Sequence, residues 1–347
     1  MNYKEAVAST WRRSDHVASS DTSPLREIVR HATLASSGHN AQCWRFSIED
    51  QRITILPDFS RRTAVVDPDD HHLYVSLGCA AENAVLSAAS YGLVSEIRFH
   101  SRPQTATGRT PGASITIDFE RSTQRSSSPL FDAITERQCT RSEYDGRPVD
   151  SGELRKLEAA GTGDGVSVRI VTEHETVERI LDCVVEANTL QVGDPKFLSE
   201  LESWIRFSDA EAIRTGDGLS ARVTGNPSIP RRLGTILFRM LTRAKSLNHR
   251  YVRQIRSSSG IVVFVSDRDD PAHWVTAGRC YQRFALQATV LDIRNSHLNQ
   301  PVEVAEMRPQ FARALGLGDG RPDLIVRFGR GPLMPRSLRR PLGSVLI

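Results

Sequence analysis

The chain has 347 residues, which at roughly 150 residues per domain predicts about two domains. Hydrophobic residues make up 39% and charged residues 25%, which is ordinary for a globular protein and excludes a wholly disordered chain. No apolar run approaches the ~20 residues that span a bilayer, so the sequence excludes an integral membrane protein. The net charge of +4 arises from 45 basic and 41 acidic side chains; four of the basic residues are lysines, which leaves 41 arginines.

The N-terminus and the cysteines indicate a cytoplasmic protein. Arg12 and Arg13 are followed by polar residues instead of an apolar segment, so they do not resemble a secretory or twin-arginine signal. The five cysteines are odd in number and form no CxxC pair. This distribution argues against a disulfide framework or a zinc site.

The hydrophobic pattern predicts a chain in which short strands alternate with helices. Residues 1–23 are polar and predict a loose lead-in, and a helix then begins at Ser23-Pro24 with proline in its first turn. The remaining predicted elements are, in chain order, strands at 45–49 and 52–56, a helix at 73–93, strands at 95–100 and 113–120, helices at 130–136 and 152–160, a strand at 166–172, a helix at 176–190, a strand at 260–266, a helix at 273–293 and a strand at 323–328.

The two halves of the chain show an internal repeat at an offset of 200 residues. Both carry a strand, an acidic turn, a long alanine-containing helix and a further strand. This order predicts an old duplication whose copies pack as a pseudo-dimer with one ligand between them, and chance similarity of two amphipathic helices is the alternative. The polar segment 120–128 is the predicted boundary, which gives halves at 1–125 and 126–347. The repeated residues are Asp67, Asp69, Asp70, Val75, Gly78, Leu86 and Ala88, matched by Asp267, Asp269, Asp270, Val275, Gly278, Leu286 and Ala288.

A polar loop after the first predicted helix carries the densest signal for a ligand site. Residues 35–46, ASSGHNAQCWRF, combine two hydroxyls, a glycine, an asparagine and a tryptophan. Hydroxyl and amide groups can bond sugar hydroxyls or phosphate, Gly38 permits close backbone approach, and Trp44 offers an apolar wall. The local pattern fits a flat polar ligand, and a loop capped by its own side chains fits it equally well.

Two groups of arginines are candidates for binding an anion. Residues 330–340 contain four arginines and no acid, and a guanidinium group can bind phosphate oxygens in bidentate geometry. Arg137 and Arg141 are four residues apart, so they would share one face of a helical turn and could address one anion. A solvated basic tail is the alternative for the C-terminal group.

Residues 218–266 contain nine basic side chains and no acid. Apolar residues between Leu233 and Ala244 follow helical spacing, which favours a lid helix that packs its apolar face on the body. One alternative is a basic amphipathic helix that contacts anionic lipid or nucleic acid, and another is a cationic rim that attracts the 2′-phosphate of NADPH.

The Asp69-Asp70-His71-His72 cluster favours a capped helix N-terminus over a metal site, because adjacent residues point to different sides.

The loop segment ASSGHNAQCWRF resembles the nitroreductase-family signature, in which x-Asn-x-Gln-Pro-Trp-x-Phe follows small or hydroxyl residues. The doubled length, the long helix at 73–93 and the terminal RRPL resemble the Acg-like branch of that family, in which two nitroreductase-like halves are fused. The resemblance runs from about 24 to 346 and is poor at about 195–258. It implies an α+β fold of mixed sheets with flanking helices, two tandem halves packed as a pseudo-dimer, and a lid inserted at about 195–258.

The resemblance also implies FMN at the junction of the halves, with no metal and no catalytic residue beyond the flavin. Cys43 and Cys139 depart from the usual proline and serine or threonine, and the second change predicts weaker flavin binding. Trp44 would shape the substrate pocket. The residues that match cofactor-binding positions are Ser36, Ser37, His39, Asn40, Gln42, Arg137, Cys139, Arg141, Gln300, Pro301, Arg336, Arg339 and Arg340.

The function that this resemblance implies is an FMN-dependent oxidoreductase of nitroreductase type. Hydride would pass from NADH or NADPH through the flavin to an electron-poor or conjugated small molecule. The alternative is a flavin-sequestering stress protein whose lid blocks the active site. The expected partners are the small-molecule substrate and NAD(P)H, without nucleic acid or stable membrane association, in a cytoplasmic monomer or weak dimer.

Overall fold

The computed structural model describes residues 1–13, 24–101, 113–122 and 128–347. The helix cap predicted at Ser23 and most of the boundary predicted at 120–128 lie outside these residues. Within them, no helix has the length and apolar character needed to cross a membrane. The helices are α1 (Tyr3–Thr10), α2 (Pro24–Thr33), α3 (His71–Ser90), α4 (Pro129–Asp132), α5 (Ser151–Gly161), α6 (His174–Gly193), α7 (Pro195–Trp204), α8 (Asp209–Thr215), α9 (Arg231–Leu241), α10 (Ala244–Arg256), α11 (Pro271–Val290), α12 (Gln300–Glu303) and α13 (Met307–Ala314). The strands are β1 (Trp44–Glu49), β2 (Arg52–Pro57), β3 (Leu93–His100), β4 (Ser114–Arg121), β5 (Val166–Val171), β6 (Ile205–Arg206), β7 (Leu219–Ser220), β8 (Gly260–Ser266), β9 (Arg294–His297) and β10 (Arg321–Gly329).

Two four-stranded antiparallel sheets have the same strand order. The first sheet runs β1-β2-β4-β3 and the second runs β5-β8-β10-β9. Each strand of the first sheet therefore has a counterpart at the same place in the second. For each sheet, a long helix joins the second of its strands along the chain to the third: α3 joins β2 to β3, and α11 joins β8 to β9. This correspondence confirms the α+β pseudo-dimer fold that the sequence predicted.

The second sheet is buried on both faces. Along β8, Val262 and Phe264 belong to the larger core, whereas Ile261, Val263 and Val265 belong to a separate core formed with α6 and α13. Alternate side chains of a strand point to opposite faces, so both faces of β8 must be apolar. This explains the uninterrupted apolar run from which the strand was predicted.

The halves meet through α3 and α11, whose first and last residues differ by the predicted offset of 200. A Cβ atom built on Gly78 would lie 2.0 Å from the Val275 carbonyl oxygen, and one on Gly278 would lie 1.9 Å from the Val75 carbonyl oxygen. The two helices therefore touch backbone to backbone at symmetric positions. The repeated glycines are required by this contact.

Two further segments pair in parallel with the edge strands β1 and β9, so each sheet contains both antiparallel and parallel pairs. The C-terminal segment lies parallel to β1, where Ile347 N donates to Phe46 O at 3.0 Å and Phe46 N donates to Val345 O at 2.8 Å. A parallel bridge joins Cys139 to Asn295 on β9. The second pairing fixes the backbone of Cys139 against the edge of the second sheet.

The prediction of a loose lead-in at residues 1–23 is wrong for α1. Asn2 and Glu5 form a reciprocal capping box that starts this helix. Tyr3 Oη donates to Arg336 O and Trp11 Nε1 donates to Ser337 O, both at 2.8 Å. The helix is held by the C-terminal segment, which hydrophobic spacing within residues 1–23 could not reveal.

Candidate functional site

A cavity of about 630 Å³ is lined by both halves and by the segment 195–258, and we call it the central cavity. This volume is typical of sites for small molecules and cofactors. The first half contributes the loop after α2 and one side of α3, the second half contributes residues of α6, α11, β9 and α12, and the segment 195–258 contributes residues of α7, α9 and α10. Six of the predicted cofactor-binding residues line the central cavity: Ser36, Ser37, His39, Cys139, Arg141 and Gln300.

The loop after α2 has an unusual backbone. His39, Asn40 and Gln42 have φ angles of 49°, 54° and 53°, a left-handed conformation that residues other than glycine rarely adopt. The Asn40 amide donates to Gly218 O at 3.1 Å, and the Gln42 amide donates to Gly216 O at 2.9 Å. These amides point away from the central cavity and hold the loop. Strain of this kind persists where the surroundings fix it, and it concentrates at functional sites.

The His39 imidazole lies on the wall of the central cavity. Burial in that wall, helped by the positive charge of Arg141, lowers the pKa of His39 to about 4. His39 is therefore neutral at neutral pH and offers one donor and one acceptor nitrogen.

We expect His39→Asn to weaken the acid sensitivity of the fold. Between about pH 6.5 and pH 4 the unfolded chain binds a proton at His39 that the folded chain does not bind, so stability falls as pH falls through this window. The full effect is about 3 kcal/mol, of which about 2 kcal/mol falls between pH 7 and pH 5. Urea unfolding at about pH 7 and pH 5 measures it, and asparagine keeps a residue that tolerates positive φ. An equal loss of stability in both proteins would contradict this assignment.

Several polar atoms on the wall have no partner within the described residues. Arg141 and Arg250 form no ion pair there, and Arg250 Nε, His297 Nδ1 and Gln300 Oε1 have no hydrogen-bond partner. Gln300 is 8% exposed, and its other amide atom donates to Tyr251 Oη at 2.5 Å. Buried polar groups usually have partners, so these atoms indicate that a polar ligand belongs in the central cavity.

Cys139 lies on the same wall, beside α11. Its Sγ is 3.5 Å from Tyr281 Oη, 3.8 Å from Arg137 Nη1 and 3.9 Å from Ser36 Oγ. Burial opposes ionisation of the thiol, but His297, Arg137 and Arg141 outweigh it and hold the pKa of Cys139 well below its ordinary value. Burial, together with the neighbouring Cys139, raises the pKa of Tyr281.

The C-terminal arginines that were predicted to clamp a phosphate do not line the central cavity. The Arg339 guanidinium donates to backbone carbonyls at the end of α2, and Arg336 donates to Glu136 and to the carbonyls beside it. Arg340 donates to the carbonyls of Gln42 and Ser344. These side chains hold the C-terminal segment in place.

Three other predicted residues also lie outside the cavity wall. Trp44 is completely buried in the larger core, where it begins β1, so it does not shape a substrate pocket in this structure. Pro301 is buried in the first turn of α12. Arg137 is 2% exposed and donates to Leu34 O at 3.2 Å, just behind the wall formed by Cys139.

Sequence reasoning missed much of the wall. Arg250 lies in the acid-free stretch, which was interpreted through its apolar spacing, and His297 is not among the residues that match cofactor-binding positions. Tyr281 sits on a helix with no local signal, because its importance comes from a neighbour 142 residues away in the chain. Further wall residues that had not been singled out for the site are His72, Asn188, Gln191, Tyr251, Gln254, Asn299 and Glu303.

The residues predicted to form the lid helix form α9, but the side of this helix that is buried differs from the predicted one. Leu237 and Phe238 of α9 line the central cavity, but Leu233, Ile236 and Met240 are 47, 55 and 61% exposed. The helix packs instead on the side of a glycine, Gly234, where a Cβ atom would lie 2.4 Å from the Phe207 ring. Because a glycine adds nothing to an apolar pattern, the spacing of the large apolar residues predicted the wrong buried side of α9.

The acidic turn before α3 caps the helix, although not through the residues predicted. Asp67 accepts hydrogen bonds from the backbone N–H groups of His72 and Leu73 at 2.9 Å each. Possible ligand atoms of Asp67, His71 and His72 lie within 4.8 Å of one another. His71 Nε2 is 3.0 Å from the Asp323 carboxylate, so these groups are already used within the protein.

The fold and the cavity define a class: a fused pseudo-dimer of two like α+β halves with one shared small-molecule site. Two proteins of Mycobacterium tuberculosis that carry NAD(P)H nitroreductase names are similar along nearly the whole chain. Rv3131 is 26% identical over 94% of this chain and 92% of its own, and acg is 22% identical over 93% and 95%. The predicted resemblance to the Acg-like branch of the nitroreductase superfamily is therefore confirmed. No family model matches the chain.

Solved nitroreductases show a more distant likeness. The FMN-dependent nitroreductase NfnB from Mycobacterium smegmatis, in complex with NADPH, is 14% identical and aligns with a TM-score of 0.41 over 62% of this chain and 96% of its own. A nitroreductase with bound FMN from Bacteroides fragilis is 14% identical and aligns with a TM-score of 0.39 over 64% and 99%.

Proposed function

We propose that this protein is an FMN-dependent oxidoreductase of nitroreductase type, which passes hydride from NAD(P)H to an electron-poor or conjugated small molecule. The observation that carries the proposal is the central cavity at the junction of the halves, with its unpartnered donors and acceptors. The nitroreductase names of the full-length relatives supply the class of chemistry.

The residues of the cavity wall fit a flavin mononucleotide. Ser36 and Ser37 offer hydroxyls, neutral His39 offers a donor and an acceptor, and Arg141 and Arg250 offer guanidinium groups without a carboxylate partner in the described chain. We assign these side chains to the polar groups and phosphate of FMN, since Arg binds phosphate in bidentate geometry. When bound, FMN would supply the two-electron chemistry between nicotinamide and substrate.

The segment 195–258, which we call the lid segment, would exclude water and select the substrate. The part of this segment before α10 lines the central cavity with Phe197, Leu201, Phe207 and Phe238, which makes that part of the wall apolar and aromatic. A flat, weakly hydrated substrate such as a nitroaromatic or a quinone suits such a surface. No acid or base of this chain is assigned to the reaction.

We expect the purified protein to be yellow, or to become yellow with added FMN, and Arg141→Met to weaken FMN binding about 10–100-fold. Loss of one charge-assisted bond costs about 1.5–3 kcal/mol, which corresponds to that range. Equilibrium titration followed by flavin fluorescence measures the affinity. Arg256→Met is the matched control, because Arg256 pairs with Glu178 outside the central cavity. Unchanged affinity in the Arg141 variant would remove Arg141 from the FMN site.

Flavin sequestration is the second candidate function, and the position of the lid segment favours it. Side chains of α7, α9 and α10 line the central cavity, so the segment covers space that a nicotinamide and a substrate would need. Anaerobic mixing of the FMN-loaded protein with NADH and with NADPH separates the two functions. Bleaching of the flavin followed by turnover of a nitroaromatic or a quinone supports the reductase, whereas no bleaching with either nicotinamide supports sequestration.

A further inference from the structure

The wall of the central cavity contains a cysteine set among cations, which the proposed function does not use as a nucleophile. Cys139 is fixed by its backbone bridge to Asn295, and its Sγ lies within 3.9 Å of Tyr281 Oη, Arg137 Nη1 and Ser36 Oγ. The residue is partly exposed, and its exposure is to the central cavity.

The charges around Cys139 favour its thiolate. Arg137 and Arg339 are 2% and 8% exposed and have no carboxylate partner in the part of the chain described. Burying two cations without an anion is unfavourable, and a thiolate beside Arg137 offsets this cost. The titratable and charged groups that face Cys139 from its own segment, α11, β9, α3 and the C-terminal segment are Arg137, Arg141, Tyr144, Tyr281, His297, Cys79 and Arg339.

The other cysteines lie in a different electrostatic environment. Burial raises the pKa of Cys43 to about 12 and also raises the pKa of Cys79, Cys183 and Cys280. Only the Cys139 pKa is lowered, although burial acts against ionisation there too. Cys183 is partly exposed like Cys139, so it provides a matched internal reference.

The cavity around Cys139 is suited to a ligand with a carbonyl group. Arg250 Nε is a donor without a partner in the described residues, and Gln300, nine-tenths buried, presents an acceptor without one. The part of the lid segment before α10 supplies aromatic and aliphatic side chains to the same cavity. The Arg250 donor suits the carbonyl oxygen of a flat conjugated compound, and the Gln300 acceptor suits an N–H or O–H group on it.

We propose that Cys139 is a covalent modification site, where its thiolate adds to α,β-unsaturated carbonyl compounds that enter the central cavity. The sulfur electron pair forms a C–S bond to the β-carbon, and the C=C electron pair moves onto the carbonyl as an enolate. The enolate then takes a proton from water at the α-carbon, so the step needs no oxidant or reductant. This site does not require bound FMN.

N-ethylmaleimide, supplied below one equivalent to the protein after removal of any bound FMN, tests the proposal. Peptide mapping by mass spectrometry should find Cys139 labelled about tenfold faster than Cys183 at about pH 6, since the larger thiolate fraction outweighs its lower intrinsic nucleophilicity. The Cys139 rate should change only a few-fold between about pH 6 and pH 8, whereas an ordinary thiol becomes about tenfold faster per pH unit.

Two variants define the origin of the reactivity. Cys139→Ser should abolish the fast labelling and leave the Cys183 rate unchanged, and His297→Gln should move the Cys139 rate profile to higher pH. Labelling of Cys183 before Cys139 at about pH 6, or a Cys139 rate that rises like that of an ordinary thiol, would overturn the proposal. Because the comparison within the unaltered protein needs neither variant, poor folding of a variant would not affect the result. A failure to bind FMN would leave the labelling unchanged, so the two proposals fail separately.

Discussion

Gly78→Ala is expected to lower the free energy of unfolding by about 2–4 kcal/mol, even though alanine is the better helix former by about 1 kcal/mol. The new methyl group would lie 2.0 Å from the Val275 carbonyl oxygen, which is backbone and cannot rotate away. The α3 and α11 axes must therefore move apart along the central contact of the two halves. Urea unfolding followed by tryptophan fluorescence measures the change.

The pseudo-symmetry of the fold predicts the same cost at the matching glycine of α11. Gly278→Ala places its methyl group 1.9 Å from the Val75 carbonyl oxygen, so its cost should match that of Gly78→Ala to within about 1 kcal/mol. Gly193→Ala is the control, because nothing lies within 4 Å of a Cβ atom at the end of α6. If either central glycine accepted alanine without loss, the backbone contact between the halves would be refuted.

These glycines also show how far the sequence determined the fold. Their spacing predicted a duplication, and the β8 strand and the long helices were predicted to within a few residues. The sequence did not predict elements that depend on distant partners. Hydrogen bonds to the C-terminal segment hold α1, and β9 is a four-residue edge strand held by β10. The predicted helix at 130–136 is a short α4 followed by a 3₁₀ turn, Ala133–Thr135. Local periodicity carries no information on such contacts.

The candidate site was predictable from local sequence only on the side of the loop after α2. That loop concentrates Ser36, Ser37 and His39 in four positions, and all three line the central cavity. The opposite wall is assembled from residues far apart in the chain, such as Tyr281 and Arg250, which a single sequence does not place together. Charge patterns identified the right residue type, arginine, without showing which guanidinium groups face the cavity and which hold backbone.

Arg339 illustrates this last ambiguity. The Arg-rich C-terminus resembles a phosphate clamp, yet the Arg339 guanidinium donates to the carbonyls of Thr33, Leu34 and Ala35 at 2.9–3.1 Å. These carbonyls lie at the last residue of α2 and just after it, where backbone acceptors have no helical donors. A cation there also interacts favourably with the helix dipole. Arg339 therefore joins the C-terminal segment to the helix that precedes the ligand loop.

Arg339→Met is expected to lower the free energy of unfolding by about 3–5 kcal/mol in the absence of FMN. Each charge-assisted bond contributes about 1.5–3 kcal/mol, and methionine fills the space but leaves the carbonyls of Thr33 and Ala35 without the Arg339 donor. Arg339→Lys should fall between the two proteins, because a lysine ammonium keeps the charge but cannot reproduce the planar fork. Urea unfolding of the flavin-free proteins measures all three.

The comparison with FMN binding decides between the two roles of Arg339. If Arg339 holds the backbone, the methionine variant loses stability without FMN, and its FMN affinity falls because Ser36 and Ser37 are no longer held in place. If Arg339 acts only on phosphate, the flavin-free variant is as stable as the unaltered protein and loses FMN affinity alone. Arg147→Met is the control for removal of a guanidinium group, since the Arg147 side chain is 81% exposed and the change should cost less than about 0.5 kcal/mol. Unchanged flavin-free stability of Arg339→Met would return Arg339 to the phosphate site that the sequence predicted.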